Sequence, residues 1–268
     1  MEEILNLQAL YQGFCATPLL WKQDDIRGLH QLEITDFSLH FLRKLERPLR
    51  LGQLAERFVF NQMDTAEDFE SIAENIQIQD GKQTVGELDA LIKHHRSPIH
   101  LEIVYKFYLY DASLGSNTIV RWIGPNRKDS FSEKLDKLSQ KQLPLLHTDT
   151  CQPVLRQLGL EAQQLEQRVL FKAQLFAPYG EQVDFEKLNP KALKGFYLHR
   201  NQLQHFKASK FYIPKKLDWF LDPIADVIWS SWQTFISTVD LLLENHRAPM
   251  IWIKDETGTL HKVFLVWW

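Results

Sequence analysis

Apolar residues along this chain recur first at the spacing of helices, then at that of strands, and then at helical spacing again. Over the first 60 residues the pattern predicts helix. Leu29, Leu32, Phe37, Phe41, Leu42 and Leu45 recur at helical spacing until Pro48 breaks the run, and "LRLGQLAERFVFNQM" is a second amphipathic stretch ending near Met63. From Ile72 the period shortens to two. "IAENIQIQDG" alternates and closes on an Asp-Gly turn, "KQTVGELDALI" follows, and "IHLEIVYKFYLY" begins after Ser97-Pro98, which predicts three strands in an antiparallel meander. "RKDSFSEKLDKLSQKQLPLL" returns to helical spacing through Phe131, Leu135, Leu138 and Leu145, and "RVLFKAQLFAP" supplies a further strand ended by Pro178 and Gly180. Beyond it the pattern predicts a mixed segment, a helix near residues 224–245 and a terminal hairpin turning at Thr257-Gly258.

This order describes an α/β (α+β) chain whose mixed central sheet contains an antiparallel meander and is flanked by helices. No internal repeat, low-complexity tract or Gly/Ser linker marks a boundary, so one domain over residues 1–268 is expected. Within it a helical N-terminal region runs to about residue 48, a core spans about 49–177, and a C-terminal elaboration fills about 178–268.

Composition adds bounds rather than identity. At 268 residues and 44% hydrophobic content the chain can bury a substantial core. A formal net charge of -3 gives no global attraction to nucleic acid or membrane, so any such surface has to be local. The charge is uneven: residues 1–80 hold 14 Asp/Glu against 7 Lys/Arg, whereas residues 187–217 hold 8 Lys/Arg and no acid. Cys15 and Cys151 make neither a disulfide framework nor a zinc motif, and the acidic start "MEEILNLQAL" lacks the features of a secretory signal. A reduced, cytoplasmic location is the expectation. The longest apolar region, residues 224–243, is interrupted by Asp226, Gln233 and Asp240 as an amphipathic helix would be, so no membrane association is expected.

The chemistry concentrates in "VGELDALIKHHRSPIHLEIVYKFYLY". Side chains at i and i+2 of a strand share a face, roughly 6.5–7 Å apart. Glu87 and Asp89 therefore form one row, and Glu102, Val104 and Lys106 another. If the two strands pair, facing residues come within about 4.5–5.5 Å. Carboxylates crowded in this way disfavour joint ionisation unless a cation neutralises them. Mg²⁺ or Mn²⁺, hard ions that take oxygen ligands, fit that need. A metal held there would lower the pKa of a bound water and stabilise charge on a phosphodiester in transition, with Lys106 positioning the water. An exposed ion pair on a solvated face is the plainer reading, worth about 0–1 kcal/mol. Against it, "LEIVYKFYLY" is too apolar on both faces for a solvated edge, so Glu102 and Lys106 belong in a covered sheet and need polar partners there.

At these residues the chain resembles the PD-(D/E)XK nuclease superfamily, whose restriction-endonuclease-like core is a helix, a three-stranded meander, a second helix and a further strand. "GELD" is similar to the second-strand motif Gly-Glu-Ile-Asp of some members. The resemblance gives Asp89 the aspartate role, Glu102 the third-strand acid and Lys106 the lysine, with Glu87 beside them. It departs from the Glu-x-Lys pattern, because Val104 stands where lysine is expected and Lys106 lies one strand repeat further on. A glutamate from the first core helix is common in the superfamily, and Glu56 in "LGQLAERF" stands at that place; a solvated helix residue is its plainer reading. Through "GELDALI", "HLEIVYKFYLY", "WIGPNRKDSFSEKLDKLSQKQLPLL" and "VLFKAQLF" the chain also resembles an uncharacterised bacterial family, domain of unknown function 1853.

Two basic stretches extend the picture. The helix after the third strand commonly supplies a basic or amide group in the superfamily, which makes Lys134, Lys141 and Gln142 candidates; a helix laced by Asp129, Glu133 and Asp136 accounts for the same charges. The segment 187–216 interleaves cations, among them Arg200 and Lys207, with Phe196, Tyr197, Phe206, Phe211 and Tyr212, as a phosphate-tracking and base-stacking surface would. "HHR" at His94 to Arg96 reads as the polar tip of a hairpin rather than a ligand pair. The expectation is a Mg²⁺- or Mn²⁺-dependent nuclease acting on DNA, with a catalytically silent nuclease-fold binding or adaptor protein as the alternative. A carboxylate-pair glycosidase ranks below both, since it leaves Lys106 and the third acid without a role.

Overall fold

The computed structural model describes residues 2–21, 25–115 and 117–268. The helices are α1 (Glu2–Cys15), α2 (Leu51–Thr65), α3 (Phe131–Lys137), α4 (Gln152–Gln157) and α5 (Trp232–Glu244). The strands are β1 (Phe69–Asp80), β2 (Gln83–His94), β3 (Ser97–Tyr110), β4 (Trp122–Ile123), β5 (Glu166–Pro178), β6 (Leu193–His199), β7 (Lys210–Tyr212), β8 (Met250–Lys254) and β9 (Leu260–Val266). The result is a mixed α/β fold with a central sheet flanked by helices. Two compact units divide the chain. One, the meander unit, is Leu19–Tyr105 and Glu133–Lys172; the other, the C-terminal unit, is Met1–Pro18, Lys106–Ser132 and Ala173–Trp268.

In the meander unit the strands follow the order β1-β2-β3-β5. The Asp-Gly turn joins β1 to β2, with Gly81 at a φ of 58° that favours glycine, and the ladder runs from Asp80↔Gln83 to Phe69↔His94. β2 pairs antiparallel with β3 from His94↔Ser97 to Ala90↔Leu101. Residues 99–105 of β3 are all buried, as its apolar content on both faces implies. Ile78, Leu88 and Leu91 pack with Leu146, Cys151 and Leu155 into one core cluster. At Gly86, which opens "GELD", Leu145 packs close: a Cβ there would lie 2.5 Å from Leu145 Cδ2 and would push that side chain aside. α2 starts where Gln53 Oε1 accepts the Arg50 N–H at 3.2 Å, and it lies against β1.

The meander, α2, the helical return after β3 and β5 all form where the pattern places them. The helix expected through Leu29 and Leu45 does not form. Leu29, Leu32 and Ile34 are buried, but Leu39 and Leu42 are 60% and 67% exposed, so the apparent stripe is not one face. The backbone bonds instead to β5: Leu32 N–H donates to Val169 O at 2.8 Å and Val169 N–H to His30 O at 3.0 Å. Gln31 continues that ladder with its side chain, donating to Trp21 O and accepting the Phe171 N–H at 2.7 Å. Further on, the buried Asn61 of α2 accepts the Leu42 N–H at 2.7 Å and donates to His40 O at 3.0 Å, which fixes the irregular path there.

In the C-terminal unit β5, β6 and β9 run parallel, β9-β8 and β8-β7 are antiparallel, and β4 pairs with the end of β3. α5 sets Phe235, Val239 and Leu243 against Ile251, Ile253, Val263 and Leu265. It begins at Trp232 rather than near residue 224, because Phe211 and Ser230 exchange two backbone hydrogen bonds of 3.0 and 2.8 Å that hold the preceding chain extended. The terminal hairpin is β8-β9, and Asp255 organises its turn by accepting the N–H groups of Thr257 and Thr259. Among the described residues no helix is long and apolar enough to cross a membrane.

Candidate functional site

Within the meander unit, four carboxylates come under one another's charge: Glu56 from α2, Glu87 and Asp89 from β2, and Glu102 from β3. Alternation along β2 gives Glu87 and Asp89 one face. The β2-β3 ladder ends at Ala90↔Leu101, and beyond it Asp89 Oδ2 accepts the Ile103 N–H at 2.8 Å. A side chain there takes the place of the next rung and anchors the carboxylate to β3.

The surrounding donors are almost all neutral. Asn75 donates through Nδ2 to Glu56 Oε2 at 2.9 Å and reaches Glu87 Oε1 at 3.4 Å, while Arg57 donates to its Oδ1. The register Glu74↔Ala90 and Ile76↔Leu88 sets Asn75 across from Asp89, and Asn75 adopts a left-handed φ of 50° that asparagine tolerates. Glu102 is completely buried. Its Oε1 lies 3.1 Å from His100 Nε2, and its Oε2 accepts from Gln142 Nε2. On the far side of the ring, Gln167 Nε2 lies 3.2 Å from His100 Nδ1 and 2.6 Å from Leu143 O. With the amide as donor, His100 Nδ1 is the acceptor and Nε2 carries the proton toward Glu102. Burial pushes the His100 pKa down to about 4, which keeps that ring neutral.

Three of the carboxylates, Glu56, Asp89 and Glu102, hold protons unusually well. Glu56 is pushed up to about 7 by burial and then by the charge of Asp89. Asp89 reaches about 7 through burial and the charge of Glu102, and Glu102 about 7 through burial, with Lys134 opposing. Lys134, on α3, donates to Gln142 Oε1 at 2.6 Å, so its charge is relayed to Glu102 by an amide. Gln142 closes a π-helical turn, Leu138–Gln142, that follows α3 directly. Four carboxylates under the charges of Lys134, Lys137 and Arg57, with mostly neutral hydrogen-bond donors, crowd together in a partly buried setting.

The remaining candidates are placed as follows. In the C-terminal unit Lys106 Nζ is 2.6 Å from Asp129 Oδ2. Lys216 carries a pKa lowered to about 8, by burial and then by Lys106, and its Nζ sits 3.2 Å from the centre of the Trp219 ring. Lys141 is exposed on the π-helical turn. Arg200 is paired with Asp240, and Lys207 is exposed. Of the interleaved aromatics, Tyr197, Phe206 and Phe211 are buried, so they serve packing rather than base stacking. Among the described residues, the one group of three or more metal-capable side chains with donor atoms all within 4.8 Å of each other is Asp68, His94 and His95; the four carboxylates are not gathered so closely.

Asn75, His100 and Gln167 join the site without belonging to the rows that strand alternation predicts. A signal existed for the first two: Asn75 interrupts the apolar alternation of "IAENIQIQ", and His100 is a polar residue inside the apolar run of β3. Gln167, at the edge of β5, carries no comparable mark.

Among protein-family models, that of a domain of unknown function (DUF1853) matches residues 7–266. No curated protein and no solved structure matches the chain.

Proposed function

We propose that this chain, which belongs to the DUF1853 family, is a metal-dependent phosphodiester hydrolase acting on DNA, built on a restriction-endonuclease-like core. The observation that carries the reading is the set of carboxylates from α2, β2 and β3 that burial and mutual repulsion hold near a pKa of 7. A divalent cation relieves that repulsion where neutral amides and a neutral imidazole cannot.

The donor set suits Mg²⁺ or Mn²⁺, which prefer carboxylate oxygen. Asp89, Glu87 and Glu56 would hold the ion, drawn in by side-chain rotation, with Glu102 as a further ligand where it gives up a present hydrogen bond. When bound, the ion supplies Lewis-acid polarisation of a phosphoryl oxygen and a more acidic water. The chain's own groups do the rest. Ile103 N–H and Asn75 orient Asp89 and Glu56, His100 and Gln142 hold Glu102, and Lys134 adds positive charge through Gln142. The water-positioning role falls to Lys106 by the resemblance alone; in its own unit its ammonium is held by Asp129.

The test is cleavage of plasmid and labelled oligonucleotides by the full chain with Mg²⁺ or Mn²⁺. Cleavage is expected to vanish with chelator and to fall about 100-fold or more in Asp89→Asn and Glu102→Gln. Unchanged cleavage by both variants contradicts the assignment. A second reading, a nuclease-like protein that binds nucleic acid without cutting it, is favoured by one observation: Lys106 is held in an ion pair with Asp129. It predicts intact oligonucleotide retained by the wild type and equally by Asp89→Asn.

A further inference from the structure

We propose that Asp68, His94 and His95 form a separate cation site, for a divalent transition-metal ion of the zinc class, at the tip of the β2-β3 hairpin. One carboxylate and two imidazoles offer donor atoms that all lie within 4.8 Å of one another. His95 Nδ1 is already 3.2 Å from Asp68 Oδ1.

The backbone brings these residues together from two parts of the chain. Asp68 precedes β1, His94 ends β2, and His95 opens the turn with a left-handed φ of 55°. The His95 N–H donates to Asp68 O at 2.7 Å, which ties the turn to the approach of β1. Phe69, paired with His94 in the ladder, stacks on its ring at 4.5 Å and 10°, and His94 in turn stacks on His95 at 4.4 Å and 28°. The ladder and the His95–Asp68 hydrogen bond hold the two chain segments in register, while the imidazoles must turn out of their stack for both in-plane lone pairs to face one ion, at the cost of those ring contacts.

Donor chemistry chooses the ion. Two nitrogens and one oxygen match zinc-class ions, whereas Mg²⁺ takes oxygen and is served by the carboxylates described above. A tetrahedral ion with bonds of about 2.0–2.1 Å needs its ligands about 3.3 Å apart. The present spacing closes by side-chain rotation, and Asp68 and His95 have 61% and 64% of their side chains exposed, so no core packing is lost. Three protein donors leave a coordination position for water or an exogenous ligand. His94 also lines a polar cleft of 640 Å³ with His30, Glu33 and Arg168.

The experiment is a Co²⁺ titration of the metal-free full chain followed by visible absorption, then displacement by Zn²⁺ against a chromophoric chelator. Wild type and Asp89→Asn are expected to show the same ligand-field bands, saturating at one equivalent and lost on adding Zn²⁺. His95→Ala, whose fold is checked by circular dichroism, is expected to bind Zn²⁺ at least about tenfold more weakly. Absence of ligand-field bands in the wild type overturns the proposal. So does unchanged Zn²⁺ affinity in His95→Ala, or loss of the bands in Asp89→Asn, which would place the ion with the carboxylates.

Discussion

Asp89 shows how one side chain can serve structure and resist it. As an acceptor for the Ile103 N–H it closes the β2-β3 ladder; as an anion beside Glu102 it is unfavourable. Asn at this position keeps an acceptor for that N–H and removes the charge. In metal-free buffer at pH 8, Asp89→Asn is therefore expected to be more stable than wild type by on the order of 1–2 kcal/mol, measured by urea denaturation. The pH dependence has a definite sign. Asp89, Glu102 and Glu56 have folded pKa values near 7, above their ordinary values of 3.8, 4.5 and 4.5, so the folded state binds more protons than the unfolded one between about pH 4 and 7. Their contribution falls as pH rises through that window. Denaturation midpoints without metal are expected to decline from pH 5 to 8, and to decline less in Asp89→Asn. A flat or rising wild-type profile would contradict the crowding of charge.

His100 makes the complementary case. Its neutral ring connects Gln167 to Glu102 in a fully buried position, and its removal leaves Glu102 Oε1 without that donor. His100→Ala is expected to cost about 1–3 kcal/mol in urea denaturation at pH 8, with less cost at pH 5 where Glu102 is protonated. Glu87, Asp89 and Glu102 stand out in the sequence because charged residues at strand spacing interrupt an apolar run. The amides and imidazole that hold them were not, since their roles depend on which strand and helix turn face each other.

At the scale of elements, legibility followed the source of each signal. β1, β2 and β3 are local hairpins whose alternation and Asp-Gly turn act within a few residues, so the sequence carries them openly. The segment from Leu29 to Leu45 takes its shape from β5 and from Asn61, partners remote in sequence, and its apolar spacing therefore misleads. The start of α5 was missed for the same reason, the partner being Phe211. Gly195 is a comparable hidden constraint within β6. A Cβ there would sit 1.9 Å from Lys262 O on the adjacent strand β9, a backbone atom with little room to move. Gly195→Ala is expected to destabilise the protein by about 3 kcal/mol or more, read as a lower urea midpoint. Gly81→Ala, at a turn open to solvent, is expected to cost about 1 kcal/mol through its positive φ alone.

At the scale of the whole molecule, net charge of -3 says little about the partner, whereas the local crowding of carboxylates in the meander unit says that a cation should stabilise the fold. An ion present at 100 times its dissociation constant adds about 2.7 kcal/mol to folding stability. Mg²⁺ at saturating concentration is thus expected to raise the thermal midpoint at pH 8 by several degrees, and by less at pH 5.5, where protons compete for the same carboxylates.

Counting bound Mn²⁺ by electron paramagnetic resonance at pH 8, in wild type, His95→Ala and Asp89→Asn, addresses the carboxylate centre most directly. Wild type and His95→Ala are expected to take up the ion with equal affinity, and Asp89→Asn to bind it at least about tenfold more weakly. Uptake by Asp89→Asn equal to that of the wild type, or no uptake by the wild type at millimolar Mn²⁺, would contradict a metal centre built on Glu56, Glu87, Asp89 and Glu102.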